Sequence, residues 1–327
     1  MSERKPRVLV TREVFDETLD YLRTHCEVID NQKDVPYAPE TLAVALADCD
    51  GLMCALTDKV DAELLAHAPQ LKAVANIAVG YNNIDVPACT ARGVMATNTP
   101  GVLDDSTADL AWALMLGTAR RITEVERRIR AGEWTGWRLK QWLGVDVHHA
   151  TLGIVGMGRI GQAIARRAAG FEMKVIYHNR KRIAPELERK CNATYLTMGE
   201  LLAQSDFVVL QVPYTPDTHH LIGAAELKKM KPSAILINST RGGVVDDAAL
   251  LAALADGTIR GAGLDVYENE PKLHPDFLKL DNVVLAPHIG SSTQATRKAM
   301  AMLAAQNLVD ALQGRTPPSL VNPDVRK

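Results

Sequence analysis

The sequence predicts an α/β protein built on two parallel sheets, each covered by helices on both faces. Three observations carry this. The chain has 327 residues, which is enough for about two domains at ~150 residues each. Short apolar runs alternate with amphipathic stretches through the first hundred residues. The same alternation restarts at Thr151, after a long helical stretch and a tryptophan-rich excursion.

In the first part the strand-like runs are 7–11, 27–30, 51–56, 72–77 and 94–97, with helix-like segments at 15–25 and 39–48. The spacing then predicts one long helix over 106–131. Its first half is apolar nearly all round (Ala108, Leu110, Ala111, Trp112, Leu114, Met115), so it is buried on several sides. Core packing would explain that; a helix between domains or between subunits explains its charged second half as well. Residues 132–149 lack periodicity and hold Trp134, Trp137 and Trp142, which reads as an excursion that forms an interface. In the second part the runs are 152–155, 174–177, 207–212, 234–238, 261–266 and 283–286, and a final helix is expected over 293–313.

Composition removes several function classes. Hydrophobic residues make up 47% and charged residues 23%, ordinary globular usage. Lysine and arginine total 37 against 39 aspartate and glutamate, a net charge of −2, so no cationic surplus points to nucleic acid. The five cysteines (26, 49, 54, 89, 191) form no CxxC pair, which fits reduced thiols and no zinc site. No signal-like start and no long uncharged apolar stretch is present, so the expectation is a cytoplasmic protein with no membrane partner.

The glycine-rich segment Gly156-Met-Gly158-Arg159-Ile160-Gly161 is a weak signal alone. Here it closes an apolar run and opens a helix whose Ile160, Ala163, Ile164 and Ala168 share a face, the context a dinucleotide fingerprint requires. Gly156 serves a tight turn, Gly158 lets the backbone approach a pyrophosphate, and Gly161 allows close helix packing. An acid about 20 residues on would bind an adenosine ribose. That place, 22 residues past Gly156, holds His178, followed by Asn179, Arg180, Lys181 and Arg182. Cations in place of the acid predict NADP(H) preference, with NAD(H) still usable.

Three polar residues follow strand-like runs in the second part: Arg241, Glu270 and His288. Ligands of open α/β sheets bind at those strand ends. Hydride transfer to a carbonyl needs a proton donor, which suits histidine, and a carboxylate partner stabilises the imidazolium. A keto acid also carries a carboxylate, which an arginine fork fits.

With these residues in view, the chain resembles the D-isomer-specific 2-hydroxyacid dehydrogenases over nearly its whole length. The stretches that carry the resemblance are Val79-Gly-Tyr-Asn-Asn-Ile-Asp85, Asn98-Thr-Pro-Gly101, the glycine fingerprint, Asn238-Ser-Thr-Arg-Gly-Gly-Val-Val-Asp246, Gly261-Ala-Gly-Leu-Asp-Val-Tyr-Glu-Asn-Glu-Pro271 and Pro287-His-Ile-Gly-Ser-Ser-Thr293. Gly132-Glu-Trp-Thr, Asp146-Val-His-His149 and Asp310-Ala-Leu-Gln-Gly314 resemble the bacterial B-type glyoxylate/hydroxypyruvate reductases, also called 2-ketoaldonate reductases.

The resemblance implies a Rossmann cofactor domain (102–288) inserted into a flavodoxin-like substrate domain (1–101 and 289–327); a homodimer is expected from the aromatic excursion. It implies that Arg241 binds the keto acid and that His288, partnered by Glu270, protonates the alkoxide. Backbone N–H groups at Val79 and Gly80 would hold the substrate carboxylate, and Ser291 would approach the substrate. Thr107, Arg159, Val212, Pro213, Ser239, Thr240 and Asp265 would join the cofactor site. Two departures stand out: Asn82 in a loop that usually reads Gly-Tyr-Asp-Asn, and His178 at the ribose position.

Glyoxylate, hydroxypyruvate and 2-ketogluconate share the reacting group, so the substrate is expected to be one of these. A phosphoglycerate dehydrogenase-like NAD enzyme is the alternative, although its long forms carry a further C-terminal domain. A dinucleotide-sensing corepressor would call for a long disordered tail. Formate dehydrogenase would place a glutamine just before the histidine, where Asn282-Val-Val-Leu-Ala-Pro287 stands.

Overall fold

The first apolar run forms β1 (Arg7–Val10), with Val8, Leu9 and Val10 wholly buried. This is a computed structural model and describes residues 4–326. Four parallel strands join β1: β2 (Glu27–Asp30), β3 (Gly51–Cys54), β4 (Ala73–Asn76) and β5 (Met95–Thr97), in the order β2-β1-β3-β4-β5. That is the doubly wound order of flavodoxin-like sheets. Helices α1 (Asp16–His25), α2 (Pro39–Leu46), α3 (Ala62–Ala66) and α4 (Val86–Ala91) make the crossovers. The C-terminal helix, Gln294–Leu312, returns to this sheet and buries Ala304, Ala305 and Leu308 against it. Gly51 leaves the room: a Cβ there would lie 3.1 Å from a Leu308 methyl. By contacts, residues up to Leu103 and those from Ser292 form one unit, and Asp104–Ser291 form a second.

The second unit opens with α5 (Asp104–Ala119) and α6 (Ile122–Arg130). The single helix expected over 106–131 is therefore two. The physical reason lies far along the chain. Val145 N–H donates to the Ala119 carbonyl at 2.9 Å, taking the acceptor that a continuous helix would use for its own next turn. Arg121 then turns left-handed (φ 56°), and its guanidinium grips the buried Glu124 at 2.6 and 2.7 Å. The inner face of α5 belongs to the core of this unit: Trp112 stacks on Phe171 at 4.6 Å and donates to the Ile164 carbonyl. Residues 132–149 form no helix or strand. Trp134, Trp137, Leu139 and Leu143 are exposed there, Trp137 by 78%.

Seven parallel strands follow: β6 (Thr151–Val155), β7 (Lys174–His178), β8 (Ala193–Tyr195), β9 (Phe207–Leu210), β10 (Ile235–Asn238), β11 (Gly261–Leu264) and β12 (Val283–Leu285). Their order is β12-β11-β10-β9-β6-β7-β8. From β8 inward this is the Rossmann order with one strand added at the far edge. The sequence runs missed β8, a three-residue edge strand without an apolar run. Helices α7 (Arg159–Ala168), α8 (Pro185–Cys191), α9 (Met198–Gln204), α10 (Ala224–Leu227) and α11 (Asp247–Ala255) cover the sheet. Two apolar cores lie on its faces, around Ile154 and Val209 and around Leu210 and Leu236.

The five cysteines are buried free thiols. Among the described residues, no helix is long and apolar enough to cross a membrane, and no cluster of three or more His, Cys, Asp or Glu could hold a metal.

Because Leu308 is fully buried on the first sheet, Leu308→Ala should destabilise that unit by about 2–5 kcal/mol. Urea unfolding followed by circular dichroism checks this.

Candidate active site

The turn after β6 shows why glycines stand there. Gly156 has φ 103°, and a Cβ on it would lie 2.2 Å from the Gln211 carbonyl oxygen. A Cβ on Gly161 would lie 2.3 Å from the Gly156 oxygen, so α7 packs directly on the turn. Gly158, the N-cap residue of α7, differs: a Cβ there would meet nothing within 4 Å. The backbone is open on that side, and no side chain caps the helix. The first N–H groups of α7, from Arg159, Ile160 and Gly161, have no partner within the helix, and the helix end carries partial positive charge. This cradle fits a dinucleotide pyrophosphate. The Arg159 side chain pairs with Asp104 at 2.7 Å.

At the end of β7, His178 Nδ1 bonds the Leu196 carbonyl at 2.9 Å. The Asn179 carboxamide accepts from Met157 N–H at 2.7 Å, joining this loop to the glycine turn. Arg180 and Lys181 are exposed. Arg182 is not available in the same way. Its guanidinium makes a two-pronged pair with Glu188 at 2.6 and 2.7 Å, and Glu188 also accepts from the buried Tyr177 hydroxyl at 2.5 Å. The bonds from Arg182 and Tyr177 hold the Glu188 carboxyl down at about 2. Among the described residues, the cationic stretch is thus two exposed charges and one neutralised one.

Val212 packs at the rim of one core, and Thr218 Oγ1 donates to the Pro213 carbonyl. Ser239 accepts from Gln211 Nε2 at 2.8 Å, and Thr240 Oγ1 donates to Asn238 Oδ1 at 2.7 Å. Arg241 follows, half-buried, with Nη1 on the Thr240 carbonyl at 2.7 Å. Burial draws its pKa down from the ordinary arginine value, against the pull of Glu270, yet a guanidinium stays charged at working pH.

Glu270 and His288 meet. His288 Nδ1 lies 2.8 Å from Glu270 Oε2, and Tyr267 N–H donates to Oε1 at 2.9 Å. The His288 side chain is 24% exposed and that of Glu270 28%. Burial alone would push the Glu270 carboxyl up, but the bond from His288, the charges of His288 and Arg241, and the Tyr267 amide outweigh it, so its pKa falls below the ordinary value.

His288 itself has φ 55°, and its loop is fixed by Asp265. That carboxylate, 1% exposed, accepts from Ile289 N–H at 2.7 Å and Gly290 N–H at 2.9 Å. The Asp265 carbonyl accepts from His288 N–H. Sequence reasoning missed this anchoring use of Asp265. Thr107 is buried beside Gly290 (3.5 Å from its ideal Cβ), and Ser291 ends the unit. In the first unit, Asn98 donates to the Val79 carbonyl and Asn76 to that of Gly80. Asn83 ties the same loop to Ala55 and Asp58.

The family model for the NAD-binding domain of D-isomer-specific 2-hydroxyacid dehydrogenases matches residues 112–290. The chain belongs to the D-isomer-specific 2-hydroxyacid dehydrogenase family. A glyoxylate reductase of Thermococcus onnurineus is 50% identical over 98% of this chain and 97% of its own, and that of Thermococcus litoralis is 51% identical over 98% of each. Among solved structures, a glyoxylate reductase from Paecilomyes thermophila superposes with a TM-score of 0.88 at 35% identity over the full length of both chains. The NADPH-dependent glyoxylate/hydroxypyruvate reductase of Sinorhizobium meliloti, solved with NADP and malonate, gives 0.87 at 34% identity, covering 98% of each. The protein is therefore an oxidoreductase that uses a nicotinamide dinucleotide, and a 2-keto or 2-hydroxy acid fits as its substrate.

The depressed Glu270 pKa has a sign that can be checked. The ionised form adds stability above the ordinary carboxylate value, and that stability is lost as pH falls through the lowered pKa. Replacing His288 with asparagine keeps a side chain that tolerates φ > 0 but removes the cation. In His288→Asn the Glu270 carboxyl should titrate at higher pH than in the native protein, read by ¹³C NMR of labelled glutamate.

Proposed function

We propose that the protein reduces small 2-keto acids to 2-hydroxy acids, with glyoxylate as the leading substrate and NADPH as the preferred reductant. The observation that supports this most is the Glu270–His288 pair in the same unit as Arg241 and the glycine cradle. The names of the relatives support glyoxylate; hydroxypyruvate and 2-ketogluconate offer the same reacting group. Asp104–Ser291 is the proposed cofactor domain, and the other unit the proposed substrate domain.

Gly156, Gly158 and the N-terminus of α7, with Arg159, Ile160 and Gly161, would hold the pyrophosphate. His178, Asn179, Arg180 and Lys181 would face the adenosine ribose and its phosphate. Thr107, Val212, Pro213, Ser239, Thr240 and Asp265 would stand on the nicotinamide side. When bound, the dinucleotide supplies the hydride that reaches the carbonyl carbon. Arg241 would bind and polarise the keto acid through its forked donors. His288 Nδ1 faces Glu270, which leaves Nε2 to give a proton to the carbonyl oxygen as it becomes the alcohol. Glu270 fixes the ring through its bond to Nδ1. Val79, Gly80 and Ser291 keep the substrate roles that the family resemblance implies.

The NADPH preference rests on the missing acid at His178 and on Arg180 and Lys181. A charge-assisted contact to phosphate contributes roughly 1.5–3 kcal/mol, so one contact corresponds to about a tenfold preference or more. Steady-state kcat/KM for glyoxylate, hydroxypyruvate, 2-ketogluconate and a phosphorylated hydroxypyruvate, each with both reduced cofactors, tests the whole reading. Glyoxylate with NADPH should lead. Arg180→Ala with Lys181→Ala should raise KM for NADPH about tenfold or more and leave NADH use unchanged. Equal efficiency with the two cofactors overturns the preference.

We also propose a homodimer formed through residues 132–149. Four large apolar side chains exposed in one segment fit a protein interface better than open solvent. Trp137→Glu should shift sedimentation velocity from dimer to monomer. A native protein that sediments as an active monomer rejects the interface.

A further inference from the structure

Arg241 and Glu270 stand on loops that leave neighbouring strands. The β10–β11 ladder ends at Asn238 and Leu264, and the last tie is Asp265 N–H on the Asn238 carbonyl. Beyond it the two chains run three and five residues further to reach Arg241 and Glu270. No ladder fixes their separation there.

Other contacts do. Gly242 lies flat against the Tyr267–Glu268 peptide; a Cβ on it would fall 1.7 Å from the Tyr267 oxygen. Glu268 N–H donates to Asp247 Oδ2 at 3.0 Å, so the start of α11 holds the turn by its backbone. Burial pushes that Asp247 carboxyl up to about 6. The Glu268 side chain bonds His220 Nε2. His220 N–H in turn donates to the Gly243 carbonyl at 2.7 Å, and its Nδ1 lies 3.9 Å from Asp246. The His220 ring stacks on His219, which is held by the Tyr214 hydroxyl at 3.1 Å. The segments 214–220, 241–247 and 267–270 thus close on one another through Glu268 and His220. Neither of those side chains belongs to the proposed chemistry.

We propose that Glu268, gripped by His220, is a positioning residue that sets the spacing between the Arg241 loop and the Glu270 turn. The inference rests on the reading of Arg241 and Glu270 as catalytic. The effect runs through backbone: Tyr267 N–H, the donor to Glu270 Oε1, belongs to the residue just before Glu268. Loosening the clasp frees that amide and lets both catalytic side chains drift. A misplacement of about 1 Å costs up to a hundredfold in rate.

The test compares Glu268→Ala, Glu268→Gln, His220→Asn and the double variant Glu268→Ala/His220→Asn in the full-length protein. Glu268→Ala should lower kcat for glyoxylate about ten- to hundredfold, with the dissociation constant for NADPH, read by fluorescence, within twofold of native. Glu268→Gln keeps an acceptor for His220 and should recover most of the rate. The double variant should be no worse than the poorer single one, as expected for two halves of one contact. A second readout does not depend on turnover. The ¹³C titration of Glu270, whose charged neighbours are His288, Arg241 and Asp265, should move to higher pH in Glu268→Ala and less in Glu268→Gln.

If Glu268→Ala does not fold, the Gln and His220→Asn variants carry the same comparison. If the native protein fails to reduce 2-keto acids, the proposed function falls while the Glu270 titration still reads the clasp. A kcat within twofold of native, effects that multiply in the double variant, or an unmoved Glu270 titration would overturn the inference.

Discussion

Much of the site depends on one buried carboxylate. Asp265 directly follows β11, has almost no exposure, and spends both oxygens on the amides of Ile289 and Gly290. Burial raises its pKa, and those two amides and the nearby His288 oppose the rise, the usual way a protein keeps a buried charge tolerable. The return is geometric. The loop after β12 is pinned to the end of the neighbouring strand, His288 is held in a left-handed conformation, and its ring comes within hydrogen-bond reach of Glu270. An exposed ion pair could not do this, because water and salt would compete for both partners.

A second constraint acts at the end of β6, three strands along the same sheet. Gly156 and Gly161 are forced by backbone oxygens just over 2 Å from where a Cβ would sit, whereas Gly158 faces open space. The three glycines therefore serve two purposes. Two let the turn and α7 close on each other, and the third leaves one side of the backbone bare for a ligand to approach.

The parallel sheets were legible because nearly every central strand is a run of buried apolar residues. Strand β8 was not, since it sits at an edge and is only three residues long. The break between α5 and α6 was not legible either, because its cause is an amide from Val145, 26 residues downstream of Ala119. In the site, the order of motifs pointed to Arg241, Glu270 and His288. The pairing of Arg182 with Glu188 was hidden: the strand and loop pattern shows the cations, while the neutralising acid comes from the helix that follows. The bond between Glu268 and His220 spans 48 residues and has no local signature. Contacts that join loops across a sheet are set by topology, and periodicity does not report them.

The bond from Met157 N–H to the Asn179 side chain has a bearing on redesign. It welds the glycine turn and the loop after β7 into a single mechanical part. An acid introduced at 179 could still accept that amide and keep the weld. A large apolar residue there would cut it, and the resulting slack would reach the glycine turn. If the proposed cofactor site holds, changes at His178, Arg180 and Lys181 would alter sign or size there while the joint stays intact.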